Sequence, residues 1–304
     1  MTKPAFLAAA TLAGAALICA TAAENTPERP PIVGIAYIAL ETNDSAAARH
    51  FYGDELGFDD LRGGNGAACF KVNDHQYIEV SPGLKSETQD RFSRLAFETT
   101  DARRLRDYLA KRGVSVPETV PTDQDGNLTI ALQDPDGHSV EFVQYAPGSV
   151  QSKSFGKLLS TRRVSQHMIH AGMTVQDRAK ADSFYKDILG FQLMWYGGMK
   201  DTRTDWVDMR VPDGRDWLEY MLNVHNPSPR QLGVMNHLAL GVRDIQVAYK
   251  EVLARGMQPP EPPKIGRDGK WQLNLYDPNY TRAELMEFKP VQTACCSPML
   301  VSFK

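Results

Sequence analysis

The chain of 304 residues is long enough for two domains of ordinary size. With 42% hydrophobic and 23% charged residues it has a globular composition, which excludes a disordered chain. A net charge of −3, with acidic and basic residues interspersed, offers no electrostatic footprint for nucleic acid.

At the N-terminus, Lys3 precedes an apolar run over residues 5–20, followed by a small-residue exit, Ala20-Thr21-Ala22. A basic start, a short apolar core and small residues at the end are the marks of a secretory signal peptide. Residues 1–22 are therefore expected to be cleaved, leaving a secreted or periplasmic protein with no membrane attachment. The alternative is an uncleaved signal that anchors the protein to a membrane. Bulky Ile18 argues against a lipid anchor at Cys19. No later segment is long and apolar enough to span a bilayer.

The remaining chain repeats itself. HFYGDELGF (50–58) recurs as SFYKDILGF (183–191), and the same offset of 133 relates Asp44 to Asp177 and Tyr37 to His170. RLAFETTD (94–101) recurs as HLALGVRD (237–244), and that offset of 143 relates DPDGHSVE (134–141) to DPNYTRAE (277–284). The chain is thus a duplicated half, and each half holds two related units. In every unit an alternating strand ends at an Asp (Asp44, Asp101, Asp177, Asp244) placed to cap the helix that follows. A Gly stops each helix (Gly57, Gly113, Gly190, Gly256). Short strands follow, separated by turns such as GGNG and GRDGK, and the last strand of each unit carries one Glu. The order is β-α-β-β-β, four times.

Strand parity sets the side-chain directions. His170, Gly172 and Thr174 share one face of their strand, as do His237, Ala239 and Gly241. The apolar opposite faces must cover the helices. The histidines therefore look into a space lined by small residues. Trp217, Met221 and Met286 share that inward face and are candidates to line a substrate cavity. His167 and His225 are expected as exposed loop residues. After signal removal, Cys69, Cys295 and Cys296 are an odd count, so no disulfide framework is expected. The adjacent pair is expected as ordinary thiols in a disordered or processed tail.

With its strand-to-Asp pattern, FYxxxLGF stretches and DPDGxxxE stretch, the chain resembles the vicinal oxygen chelate superfamily, over nearly all of residues 32–289. That superfamily includes glyoxalase I and the extradiol dioxygenases. The resemblance implies an α+β fold of four βαβββ modules paired into two cupped mixed β-sheet domains, over residues 32–147 and 165–290. A linker (148–164) and a tail (291–304) complete the chain. It also implies metal ligands from the first and last strands of each unit. In the second half these positions are His170, Glu219, His237 and Glu284, a set suited to one divalent ion (Ni, Fe, Zn, Mn or Co). Without a metal, two buried histidines would instead hydrogen-bond two glutamates. In the first half the same positions are Tyr37, Glu79, Arg94 and Glu141. Arg94 has no lone pair to offer, so a degenerate site is expected, with Arg94 paired to Glu79 or Glu141 in the metal's place.

Glyoxalase I-like lyase or isomerase chemistry would move a proton through a metal-bound enediolate, with Glu284 and Glu219 as the catalytic proton-transfer pair. Asn223 matches an Asn that glyoxalase I uses on its substrate, whereas Thr174 stands where that enzyme has an Arg. An Fe(II) extradiol dioxygenase is the alternative, with His170, His237 and Glu284 as its triad. Against it, Glu219 crowds a position left open there, Asn274 replaces a Tyr, and no His lies between Phe191 and Glu219. A non-catalytic binding protein is the third reading. In each case the partner is a small molecule, and the protein is a monomer or a homodimer.

Overall fold

The computed structural model describes Met1, residues 28–63 and residues 66–300. The expected signal segment lies almost entirely outside the described residues. No described helix is long and apolar enough to cross a membrane.

The first half contributes β1 (Ile32–Thr42), β2 (Asp59–Asp60), β3 (Ala68–Lys71), β4 (Tyr77–Pro82), β5 (Phe92–Thr99), β6 (Leu128–Gln133) and β7 (Ser139–Gln144). The second contributes β8 (Met168–Thr174), β9 (Gln192–Gly197), β10 (Trp206–Arg210), β11 (Trp217–Met221), β12 (His237–Val242), β13 (Lys264–Ile265), β14 (Trp271–Tyr276) and β15 (Arg282–Glu287). They form two mixed sheets, ordered β2-β3-β4-β1-β5-β7-β6 and β13-β14-β15-β12-β8-β11-β10-β9. In each sheet the first strands of the two units pair antiparallel at the centre, and each pairs in parallel with the last strand of its own unit. One unit departs from the pattern. The strand expected after the second helix shrinks to a single bridge between Thr122 and Leu128. Pro117 and Pro121 lie in that stretch, and proline has no N–H to donate to a ladder.

The helices are α1 (Ser45–Arg49), α2 (Ala102–Lys111), α3 (Val150–Lys153), α4 (Arg178–Ala181), α5 (Pro229–Met235) and α6 (Ile245–Ala254). α1 and α4 widen into π-helical turns over His50–Glu55 and Asp182–Ile188. Asp44, Asp101, Asp177 and Asp244 each accept backbone N–H groups of the first turn, as their positions predict. Glu287 faces away from the cup and accepts the Ile245 N–H at 2.9 Å. Gln144, at the equivalent place, accepts the Ala102 N–H at 3.0 Å. The last strand of each half thus helps to cap the helix of its own unit.

The apolar faces of both sheets merge into one continuous core that includes Ile35, Phe97, Phe142, Phe191, Leu218 and Leu285. The repeated motifs cross-link the halves within it. The Tyr52 hydroxyl donates to Asp277 at 3.1 Å, and the Tyr185 hydroxyl donates to Asp134 at 3.0 Å. Each Tyr of one FYxxxLGF stretch therefore meets the Asp of the other half's DP pair.

The tail differs from expectation. Cys295 and Cys296 form a disulfide, leaving buried Cys69 as the free cysteine among the described residues. The segment is pinned rather than loose. The Trp195 indole donates to Cys295 O at 3.1 Å, Tyr196 N–H donates to Ser297 Oγ at 2.9 Å, and Leu300 N–H donates to Met194 O at 2.8 Å. Backbone groups of β9, an edge strand, supply two of these partners, and the Trp195 side chain supplies the third. His167 also differs, since it is mostly buried and lies 2.6 Å from Asp216.

Candidate metal centre

Strand register builds the site in two rows. His170 lies beside Trp217 on β11 and Ala239 on β12, and Ala239 lies beside Glu284 on β15. One step along, Gly172 lies between Glu219 on β11 and His237 on β12. Ile169 is an extra residue in β8, bulged where Met168 and His170 face Leu240 and Ala239. The same bulge occurs at Ala36 in β1, so Tyr37 is placed as His170 is. Bulges of this kind re-aim the side chains beside them. Small residues between the functional side chains leave room for the imidazoles. A Cβ on Gly172 would sit 2.0 Å from His237 Cε1.

The result is a compact cluster. His170 Nε2 and His237 Nε2 are 3.1 Å apart. Glu219 Oε2 lies 3.3 Å from His237 Nε2 and 3.8 Å from His170 Nε2, and Glu284 Oε2 lies 3.7 and 4.0 Å from the same atoms. Ligand atoms about 2.1 Å from a six-coordinate ion stand about 3.0 Å apart in cis and about 4.2 Å apart in trans. The five separations that involve a histidine fall in that window, and His170, His237 and Glu284 lie mutually within 4.8 Å. His237 Nδ1 donates to Met235 O at 2.8 Å, which leaves the lone pair on Nε2 facing the cluster. His170 Nδ1 is buried without a partner. Burial holds both imidazoles well below their ordinary pKa, aided at His170 by His237, Lys270 and Arg282 and at His237 by Arg282. Both rings are therefore neutral at pH 7, the form that ligates metals. Burial pushes the Glu219 and Glu284 carboxyls up to about 7, against the pull of Arg282 and Lys270. This donor set fits a divalent ion.

A cavity of about 360 Å³ opens from the cluster. Of the residues expected to meet substrate, Trp217 lines it, its ring 4.9 Å from that of His170. Asn223, Met221 and Thr174 do not reach it. Asn223 has left-handed backbone (φ 62°), and its amide donates to Thr204 O and Asp205 Oδ1. Met221 pairs with Trp206 at the end of β11, and the Thr174 N–H donates to Asn236 Oδ1.

Sequence reasoning missed four polar side chains here. Asp208 on β10 pairs with Glu219 across the strands and is buried. Burial and Glu219 push its carboxyl well above the usual range. Asp268 is buried 3.5 Å from Lys270 Nζ, and Lys270 lies over the Trp217 ring at 4.3 Å. Arg282 Nη2 lies against the His237 ring, 2.7 Å from Nε2 and 2.9 Å from Nδ1, and 3.9 Å from Glu284 Oε2. Two signals were available. Arg282 stands two residues before Glu284 and shares its face, and the 143 offset maps Asp268 onto Asp125 of the first half.

In the first half the equivalent cluster is closed by cations. Arg94 pairs with Glu79 at 2.6 Å and lies 3.5 Å from Glu141. Arg62, which the sequence did not single out, adds bonds to Glu79 at 2.9 Å and Asp125 at 2.7 Å. The Tyr37 hydroxyl donates to Glu141.

A family model described as the Glyoxalase/Bleomycin resistance protein/Dioxygenase superfamily matches residues 34–142 and again residues 167–285. The chain belongs to this superfamily. No curated protein matches it. Among solved structures, the Mn(II)-bound glyoxalase from Novosphingobium aromaticivorans is 17% identical with a TM-score of 0.66, covering 85% of this chain and 83% of that one. A variant of homoprotocatechuate 2,3-dioxygenase from B. fuscum is 17% identical with a TM-score of 0.64, covering 85% and 72%. The same enzyme from Arthrobacter globiformis gives 17% and 0.64, covering 89% and 86%. At this identity the likeness is one of fold: two cupped mixed sheets per chain. Each superfamily match covers most of one cup, the first closed by Arg94 and Arg62 and the second holding the His and Glu cluster.

Proposed function

We propose that this superfamily member is an exported, metal-dependent enzyme of glyoxalase I type, acting on a small molecule with adjacent oxygens through the second-half site alone. The observation that carries the reading is Glu219. Its Oε2 lies 3.3 Å from His237 Nε2 and 3.8 Å from His170 Nε2, beside the close group of His170, His237 and Glu284, which makes a set of two imidazoles and two carboxylates. When bound, a divalent ion would polarise the substrate oxygens and acidify the C–H between them. His170 and His237 would hold the ion through Nε2. Glu284 and Glu219 stand on opposite edges of the cluster, on β15 and β11. One carboxylate takes the proton and the other returns it to the neighbouring carbon. Trp217, Met286 and Trp195 supply an apolar wall beside the cluster.

A second reading is supported by the close grouping of His170, His237 and Glu284, whose ligand atoms lie within 4.8 Å of one another. That is the triad of an Fe(II) dioxygenase. Asn274 lines the cavity where a Tyr would be needed, and Glu219 fills the side left open in such a triad.

Elemental analysis of the mature protein should find one divalent metal per chain, and His237→Ala should lose most of it. Hemithioacetals of methylglyoxal should isomerise with deuterium exchange in D2O and without oxygen uptake. Oxygen consumption with catechols by the iron-loaded protein would replace the isomerase reading with the dioxygenase one. Absence of bound metal would remove both.

A further inference from the structure

We propose that the Cys295–Cys296 disulfide is a thiol–disulfide exchange site, attacked by a small thiol at Cys296, whose redox state sets how firmly the Trp195 wall of the cavity is held. The inference is independent of what the His and Glu cluster binds. The bond joins adjacent residues, so it removes little freedom from the unfolded chain and adds little to the stability of the fold. What it fixes is one turn. Cys296 has left-handed backbone (φ 72°), which L side chains avoid, and the link to Cys295 keeps it there.

That turn seats the tail against the cavity. Rotation about φ of Cys296 turns the peptide plane that carries the Cys295 carbonyl. The carbonyl accepts the Trp195 indole N–H at 3.1 Å and the Ser297 N–H at 2.8 Å, while the Cys295 N–H donates to Arg267 O at 2.8 Å. Ser297 Oγ accepts the Tyr196 N–H at 2.9 Å and donates to Tyr196 O at 2.8 Å. Trp195 on β9 and Arg267 in the turn between β13 and β14 both line the cavity.

The two sulfurs meet opposite charges. Arg267 Nη2 lies 3.6 Å from Cys296 Sγ, and Asp201 Oδ1 lies 3.7 Å from Cys295 Sγ. Arg267 and Asp201 also pair with each other. Cys296 is exposed, whereas Cys295 is half-buried. A thiolate is therefore admitted at Cys296 and repelled at Cys295, and access and charge decide which sulfur is attacked. The incoming thiol loses its proton, and its sulfur bonds Cys296 Sγ as the S–S bond breaks. The electron pair of that bond goes to the Cys295 sulfur, which takes up a proton and donates it to Asp201. A second thiol attacks the incoming sulfur of the mixed disulfide and releases Cys296 as a thiolate beside Arg267. Two thiols are oxidised to one disulfide, and the protein disulfide is reduced. Cys296 then leaves the left-handed conformation, the Cys295 carbonyl turns from Trp195, and the seat of the tail on β9 loosens.

Treatment of the native mature protein with excess glutathione, trapping with N-ethylmaleimide and mass spectrometry test the chemistry. Before treatment the tail peptide should carry no maleimide. After it, both tail cysteines should be labelled while buried Cys69 is not. Early samples should carry glutathione on Cys296 and maleimide on Cys295. Free tail thiols at the start, or a disulfide that stays closed, overturn the exchange site, and glutathione on Cys295 overturns the choice of sulfur. Arg267→Gln, with folding checked by circular dichroism, should slow the exchange several-fold, and added salt should slow wild type in the same direction. Rates indifferent to both contradict the part given to the guanidinium. For the cavity wall, amide hydrogen exchange in β9 should quicken several-fold on reduction and stay level in β1, since the Tyr196 N–H depends on Ser297. The Cys295→Ser, Cys296→Ser double variant should match reduced wild type and ignore glutathione. Unchanged exchange in β9 would separate the disulfide from the wall and overturn the coupling.

Discussion

At the scale of single residues, the centre is a conflict between burial and charge. Glu219 and Glu284 move from 4.5 to about 7 because burial penalises the carboxylate, and Arg282 and Lys270 offset only part of that. The sign of the stability effect follows from linkage. A carboxyl raised on folding contributes stability below its unfolded value, and that stability is lost as pH rises through about 7. The histidines act oppositely but only below their ordinary 6.5, where the unfolded chain takes up protons that the buried rings refuse. Between pH 6.5 and about 8 the two site histidines no longer contribute, while the glutamates still do, joined in the same direction by the raised groups of Asp208, His75 and His138. The metal-free protein should therefore lose thermal stability across that interval, with Tm followed by calorimetry. Divalent metal should bind more tightly over the same interval, because its ligands must be deprotonated. A Tm that rises with pH would show that the two glutamates are not buried as described.

At the scale of elements, the site depends on register. His237 can lie across β8 only because Gly172 has no side chain, and Gly172 stands opposite it only in this pairing of β8 with β12. Gly172→Ala places a methyl 2.0 Å from His237 Cε1. The ring must rotate or the strands must part, at a cost of about 1–3 kcal/mol. The expected outcome is a lower urea midpoint together with loss of most bound metal. Normal metal content in a normally stable variant would mean that the imidazole has another rotamer available. The paired bulges at Ala36 and Ile169 belong to this scale too. An alternating pattern of side chains does not reveal an extra residue, so strand parity predicted the histidine face correctly without predicting the kink that sharpens its aim.

At the scale of the whole molecule, the repeated motifs serve assembly more than chemistry. Tyr52 and Tyr185 are fully buried, and each spends its hydroxyl on an Asp of the opposite half. Tyr185→Phe leaves Asp134 short of one buried hydrogen bond and should cost about 1–2 kcal/mol in urea unfolding, with Tyr52→Phe similar. An unchanged midpoint for both would show that the halves are held by apolar contact alone. The tail belongs to the same scale. As a sequence it looked dispensable, but β9 is an edge strand whose free backbone groups give the tail a seat beside Trp195.

Duplication made much of this protein legible from its sequence. Offsets of 133 and 143 aligned four units, the capping Asp and stopping Gly marked each helix, and the aligned Glu and His positions proved to be one cluster. Those signals are local or periodic, and a one-dimensional pattern carries them. Tertiary structure alone decided what surrounds the cluster. Asp208, Asp268, Lys270 and Arg282 arrive from strands and turns whose side chains converge only when the sheet curls. Asn223, Met221 and Thr174 shared the expected face but fell outside the cavity, because parity fixes direction and not distance along a curved strand.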